Sequence, residues 1–514
     1  MIRVGFRIAP CVWSVLWIAG PALAAPQATA TAPAADTSAP LWTDCPKTPS
    51  LDGPVQTCPR ADGYHGIWYY NQKTGDEYAY KYSGGLGTYC ADHIPLAIYA
   101  PQVDKTFFVY GGTPADTDHS NERQPLLIMV SYYDHKTGQV PRPVILMDKK
   151  TTDAHDNSVL SIDEQGYIWV FVSAHGTSRP AYLFKSAKPY EIDAFRCVWE
   201  TNFSYPQPWY IEGRGFLFLH TRYIKGHRVL HQMTSPDGVT WSQPQRLAEI
   251  ENGHYQVSWR QGDKIGTAFN YHPNKGGLNA RTNLYYMETV DLGKTWTNVK
   301  GEKLTLPLTT IDNPALVRDY AAIGQLVYIQ DLNFDARGYP VILYNTSRGW
   351  QPGPKNGLPN VTTARWARNA WEVNSLLATD HNYDAGCLHV EKGRLWRLIA
   401  PTLIGRDLPP REPQPYGTGG EMVMWTTDDA GRTWYPQPLT GNSPYNHTYA
   451  RRPVNASPDF YAFWADGNAR QPSVSRLYFT SQKGEVFRLP EKMTGDFAAP
   501  QRVPLPPETE PATP

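Results

Sequence analysis

Seven times along the chain an apolar run with a polar or aromatic end is followed, after a turn, by a second apolar run. The first runs read FFVYGG from Phe107, YIWVFVSAH from Tyr167, FLFLHTR from Phe216, IGTAFNYH from Ile265, LVYIQDL from Leu326, LWRLIAPT from Leu395 and FYAFWADG from Phe460. Their partners are LLIMVSYYD, AYLFKS, VLHQMTS, NLYYMET, PVILYN, MVMWTT and RLYFTS. A period of roughly 40 to 50 residues with about four short strands per unit is the pattern of a β-propeller. Helical periodicity is nearly absent. The fold class predicted is therefore all-β, a single seven-bladed β-propeller over residues 41–500. The N-terminal segment is expected to complete the last blade, which would close the ring and hide an edge strand.

Three repeats carry a second marker between later strands. Ser235–Trp241, Thr289–Trp296 and Thr427–Trp434 follow the Asp-box pattern S/T-x-D-x-G-x-T-W, the first one residue short. The Asp can accept from amides of its own turn, and the Gly permits the positive φ that closes it. Such turns sit on the blade periphery, so they speak for fold and not for chemistry.

Composition narrows the setting. Arg3 and Arg7 precede the apolar run CVWSVLWIAG, and Ala22-Leu23-Ala24 offers a cleavage site, so residues 1–24 read as a signal peptide. Residues 25–40 read as a flexible Ala/Thr/Pro leader and 501–514 as a Pro-rich tail. The mature protein is expected to be periplasmic or secreted, and monomeric. Lys plus Arg and Asp plus Glu are balanced at 48 each, which gives no reason to expect nucleic acid or a membrane surface as partner. The 17 Trp and 32 Tyr suit a carbohydrate surface, where rings stack on sugar faces. Beyond the signal peptide stand Cys45, Cys58, Cys90, Cys197 and Cys387. Cys45 and Cys58 are expected to pair across a short loop, with Cys197 and Cys387 buried as free thiols.

Candidate chemistry lies at the ends of the strands. His155, Tyr205 and Tyr255 precede three successive repeats at intervals of 50 residues, and His175, Arg222 and His272 close the strands that follow. In a propeller, equivalent points of adjacent blades meet at one mouth, and buried polar groups need partners, so these six are predicted to line one wet cleft. Glycoside hydrolysis needs two carboxylates about the scissile bond. Asp156, Asp312 and Asp331 are near in sequence, but none repeats in register. His, Tyr and Arg suit β-elimination at a uronate instead. Tyr and His move protons, and a cation on the carboxylate acidifies C5–H. His155, Tyr205 and Tyr255 are the candidate catalytic groups, Tyr205 with His155 first and Tyr255 in reserve. His175, Arg222 and His272 are the candidate substrate-binding groups.

YSGGLGTYCADHIPLAIYA, HDNSVLSIDEQGYIWVFVSAHG, RTNLYYMETVDLGKTW, GTGGEMVMWTTDDAGRTW and NHTYARRPVNASPDFYAFWADG resemble the BNR-repeat propellers that include the ulvan lyases and rhamnose–glucuronate lyases. The resemblance runs from about Gly63 to Pro490. It implies a polysaccharide lyase that works with a His, Tyr and Arg set, matched here by His155, His175, Tyr205, Arg222, Tyr255 and His272. It leaves open whether the polymer is sulfated, whether cleavage is endo or exo, and which group is base and which acid. No cofactor is expected for the chemistry. A structural zinc on His381, Cys387 and His389 competes with the reading of these three as ordinary strand residues. Two other functions compete. A sialidase-like hydrolase would need an early Arg-Ile-Pro, whereas the nearest segment is Pro141-Arg142-Pro143. A non-catalytic glycan-binding propeller would not explain the register of the six.

Overall fold

The computed structural model describes residues 40, 42–403 and 416–504. Residues 1–39, and with them the expected signal peptide and most of the leader, lie outside the described residues, as does the tail from 505.

Among the described residues, seven antiparallel sheets form the blades of a propeller, at 97–148, 158–201, 204–248, 256–318, 326–378, 387–438 and 446–503. Within these ranges each sheet keeps its strands in chain order, because each short turn returns the chain beside the strand it has just left. The first strand of each blade lines the axis, where it meets the first strands of its neighbours. The repeat runs of the sequence are second strands in six blades. In blade 5, Leu326–Phe334 is itself the axial strand, so the repeat there is displaced by one strand.

Antiparallel pairing puts the start of each first strand and the end of each second strand at one face. That is why residues 155 and 175, or 255 and 272, come together. Interiors are apolar on both sheet faces. Trp169, Trp296, Trp396 and Trp464 are each at most 1% exposed and pack blade against blade.

The outer turns of blades 3, 4 and 6 are tied as their sequences demand. Ser235 Oγ accepts from Gly238 N–H at 2.8 Å, and Asp237 Oδ1 from Val239 N–H at 2.8 Å. Thr289 Oγ1 accepts from Gly293 N–H at 3.0 Å, and Thr427 Oγ1 from Gly431 N–H at 3.1 Å. The three glycines have φ of 77°, 78° and 85°.

Ring closure differs from the expectation. Val55–Thr57 does not enter blade 7. It pairs with Ala194–Thr201 as a fifth, outermost strand of blade 2. Blade 7 is built from C-terminal strands alone, with Gln501–Val503 added at its outer edge past the expected boundary at 500. The ring closes where Tyr99 N–H donates to Val454 O and Val454 N–H to Ala97 O, both at 2.9 Å. The N-terminal placement also re-pairs the cysteines. Cys45 bonds Cys197 of the blade 2 edge strand, 152 residues away, and Cys58, Cys90 and Cys387 are buried thiols.

Before blade 1 the chain makes a hairpin, Trp68–Lys73 and Tyr80–Gly85, that lies against blade 7. Trp68 Nε1 donates to Asn468 O at 2.7 Å and Ser83 Oγ to Ala469 O at 2.7 Å. The second strand is wholly buried and delivers Lys81 and Tyr82 to the mouth of the axis.

Candidate active site

A cavity of about 90 Å³, open to solvent, occupies that mouth. His155, His175 and Tyr255 line it, together with Tyr89, Arg228, Arg281, Tyr328 and Tyr383 from five further positions.

One wall is an imidazole pair held by a single carboxylate. Asp153 precedes a short turn of helix, Ala154–Asp156, and accepts from His155 N–H at 3.1 Å. Its Oδ1 takes His155 Nδ1 at 2.6 Å and its Oδ2 takes His175 Nδ1 at 2.8 Å. The two rings stack with centroids 3.9 Å apart. Arg179 Nη2 donates to Asp153 Oδ2 at 2.9 Å and its Nε to Asp156 Oδ2 at 2.8 Å, where Lys149 Nζ also donates at 2.8 Å. Burial opposes ionisation of Asp153, yet the two imidazoles hold its carboxyl well below the usual carboxylate range. Burial, then the neighbouring His175, pushes His155 down to about 4. Asp153 is thus an anion and His155 a neutral base with its proton on Nδ1 and its lone pair on Nε2.

The facing wall is a group of phenols around cations. Tyr205 Oη lies 3.4 Å from Tyr255 Oη and 3.5 Å from Tyr223 Oη. Tyr205 sits at φ 53°, inside a bulge of its strand, a costly conformation for a non-glycine residue that turns its ring toward the axis. Its ring centroid is 6.3 Å from both imidazoles. Burial pushes its hydroxyl well above the ordinary phenol value, so it rests as a proton donor. The Arg228 guanidinium lies 5.1 Å from the Tyr223 ring centroid and 5.5 Å from that of Tyr255. Arg281 is 4.9 Å from the Tyr255 centroid and 4.4 Å from that of Tyr328, and donates to Tyr383 Oη at 3.0 Å. Burial, then Arg281 and Arg228, pushes Lys81 down to about 6. His272 is fully buried with its ring 4.9 Å from Tyr255, and neither of its ring nitrogens has a partner in the protein.

Three of the six sequence-derived residues, His155, His175 and Tyr255, line this cavity, and Tyr205 and His272 are buried behind it against Tyr255. Arg222 is not among them. It shares a strand face with His220, opposite Val229, and depresses the basicity of His220 and His231, whereas Tyr223 and its cross-strand partner Arg228 take the cavity face. The cation was placed one strand and one face away from where it lies. Alternation along Gly215–Ile224 separates residues 222 and 223, and only the hairpin register brings Arg228 opposite Tyr223. Gly253 supports this wall. At φ 99° it lies against Arg228, and a Cβ there would come within 2.2 Å of Arg228 O. Asp153, Tyr89, Arg228 and Arg281 were missed by the sequence reading. Asp153 was legible in principle, two residues before His155; the others follow only from the closed ring.

The carboxylates weighed for hydrolysis are committed elsewhere. Asp156 is salt-bridged inside the wall, Asp331 pairs with Arg452 at 3.1 Å, and Asp312 is exposed on the outer flank. Asp92 is the one carboxylate among the described residues lining the cavity; burial pushes it up to about 7 although Arg281 pulls it down. The three residues weighed as zinc ligands, His381, Cys387 and His389, form no close group among the described residues. His389 stacks on Tyr461 at 3.6 Å and Cys387 packs in a core cluster with Ile399 and Met424. Among the described residues the close His/Asp group is Asp153, His155 and His175. Its carboxylate already meets a backbone N–H, two imidazole nitrogens and a guanidinium, a donor set that fits a hydrogen-bonded network and not a cation.

Comparison with known proteins agrees with this architecture. Residues 125–378 match the family described as BNR repeat-containing family member. The Ulvan Lyase-PL25 of Pseudoalteromonas sp. (strain PLSV) is 27% identical over 291 residues, 47% of this chain and 58% of that protein. An ulvan lyase of Nonlabens ulvanivorans is 28% identical over 264 residues, 43% of this chain and 54% of that protein. The chain spans just over half the length of these two curated relatives. Among solved structures, the PL25 ulvan lyase bound to -[GlcA(1-4)Rha3S]- superposes with a TM-score of 0.61 at 17% identity, covering 84% of this chain and 96% of that one. Polysaccharide lyase Uly1 gives 0.56 at 12% identity, covering 83% and 97%. At these identities the structures attest the fold.

Proposed function

We propose that this chain, a BNR-repeat β-propeller similar to ulvan lyases, is an exported polysaccharide lyase that cleaves at C4 of a glucuronate or iduronate residue by β-elimination. The observation that carries the reading is the pairing of the two walls. An imidazole pair oriented by one carboxylate faces phenols clustered on a buried guanidinium, in a cavity whose described lining includes a single carboxylate. A two-carboxylate hydrolysis has no counterpart there. Elimination has all of its parts. Arg228, with His272 beside Tyr255, lies where a uronate carboxylate would be neutralised, which makes C5–H acidic and stabilises the aci-carboxylate intermediate. The His155 wall accepts the C5 proton. Tyr205 supplies a proton to the departing O4, leaving a C4=C5 double bond.

The test is incubation with uronate-containing polymers, ulvan and unsulfated rhamnose–glucuronate polymers among them, while following near-ultraviolet absorbance from the unsaturated uronate. Tyr205→Phe should lower the rate by ~10²-fold or more while substrate still binds, the usual scale for a lost general acid. New reducing ends without new absorbance would show a hydrolase and overturn the reading.

A further inference from the structure

On the lyase reading His155 is the proton acceptor, yet it does not offer Nε2 to the cavity unobstructed. Tyr89 Oη lies 2.7 Å from it, and Tyr82 Oη lies 2.6 Å from Tyr89 Oη and 3.2 Å from the same nitrogen. Because Asp153 holds the Nδ1 proton, Nε2 carries the lone pair, and the Tyr89 O–H donates to it. Tyr82 O–H in turn donates to Tyr89 Oη. The Tyr89 ring meets the His155 ring edge-on with centroids 4.9 Å apart and is backed by Tyr449 at 5.1 Å. Asn157 Nδ2 fixes its backbone by donating to Tyr89 O at 3.0 Å. Tyr89 also lines the cavity, beside His155 and Tyr82. Tyr205, by contrast, has no imidazole nitrogen on its hydroxyl, which meets the phenols of Tyr223 and Tyr255 and the Arg228 guanidinium.

We propose, on the basis of the lyase reading, that Tyr89 is a further catalytic residue, the group that itself removes the C5 proton. Its own proton passes to His155 Nε2, and the imidazolium is stabilised by Asp153. The phenolate oxygen then takes the proton from C5, whose C–H electron pair delocalises into the carboxylate held by Arg228. As the C4–O bond breaks, that pair becomes the C4=C5 double bond, and Tyr205 protonates the leaving O4. Tyr89 ends protonated, and the proton on His155 returns to Tyr205 through solvent, which restores all three groups. A free phenolate is costly in this buried setting, so the proton needs a receiver in contact with the oxygen, and His155 is in contact. The logic is that of a hydroxyl activated by an adjacent base that a third group orients.

The test is steady-state elimination on a polymer that the unaltered protein cleaves, which keeps it separate from the lyase reading. Absence of product from the unaltered protein bears on that reading alone. Tyr89→Phe is expected to lower kcat by ~10²-fold, with KM little changed and Tyr82→Phe much less affected. A loss below about tenfold, a loss carried by KM, or an equal loss in Tyr82→Phe would overturn the role. Should Tyr89→Phe fail to fold, 3-fluorotyrosine at position 89 keeps the hydroxyl and lowers its pKa. The pH dependence of kcat should then move to lower pH, and an unmoved profile overturns the proposal.

Discussion

Asp153 decides what the two histidines can do. One carboxylate that meets both Nδ1 atoms turns both Nε2 atoms away from itself, that of His155 onto the Tyr89 hydroxyl, and it is held in place by Arg179 so that it cannot turn away. On the proposed reading, the cation nearest Tyr223 and Tyr255 together is set by strand face in the same way. Arg228 lies against Tyr223 and Tyr255 in the cavity wall, while Arg222, on the opposite strand face, stands by His220 and His231. Arg228→Ala is therefore expected to lower kcat/KM for elimination by ~10²-fold or more, with weaker substrate binding, because the charge meets the carboxylate in the ground and transition states alike. Arg222→Ala should stay within a few-fold of the unaltered protein. Equal losses in kinetic assays of the two variants would mean the strand face has been assigned wrongly.

At the scale of elements, the site depends on where one blade touches the next. The backbone of Gly253, ahead of blade 4, lies against Arg228 of blade 3: His254 N–H donates to Arg228 O at 3.0 Å and His272 N–H to Gly253 O at 2.8 Å. This contact joins the cation to His272 and Tyr255, and it is open only to glycine, since φ is 99° and a Cβ would overlap Arg228 backbone atoms. Gly253→Ala is predicted to cost ~1–3 kcal/mol in denaturant unfolding and to impair catalysis although it alters no functional side chain. A variant with unchanged stability and unchanged turnover would dissociate this contact from the site. The hairpin at 68–85 has a comparable place in the architecture: by lying on blade 7 it brings Lys81 and Tyr82 over the axis, beside Tyr89.

The whole molecule buries an unusual number of neutral imidazoles. Burial lowers the basicity of His93, His155, His220, His254, His272 and His389, with His155 and His254 near 4. In the unfolded chain each takes a proton below an ordinary pKa of about 6.5. Between about pH 6.5 and 4 the unfolded state therefore binds more protons, and stability must fall as pH falls through that window. His155 alone, moved from 6.5 to about 4, corresponds to ~3 kcal/mol at the low end. Urea midpoints should be level above pH 7 and drop steeply toward pH 4, with a shallower drop in His155→Gln. A level profile down to pH 4 would show that these rings are hydrated or protonated in the folded state.

Seven blades, the turns between later strands and the register of His155, Tyr205 and Tyr255 are local properties, readable wherever a strand, a turn and the next strand lie close in sequence. Period and strand parity carry them, which is why the neighbourhood of His155, His175 and Tyr255 at one cavity was legible from the chain alone. The cation, the disulfide and the ring closure are not local. Arg222 and Arg228 differ by a hairpin register and a strand face, Cys45 meets Cys197 because the N-terminal segment follows the edge of blade 2, and blade 7 closes on Val454 without an N-terminal strand. Tyr89 and Asp153 belong to the same class: both meet His155 only where the entry to blade 1 packs against the entry to blade 2. The sequence determined the repeating unit and the chemistry it carries, because pattern is short-ranged. The tertiary structure decided which of those groups touch, because closure of a ring is a property of all seven units at once.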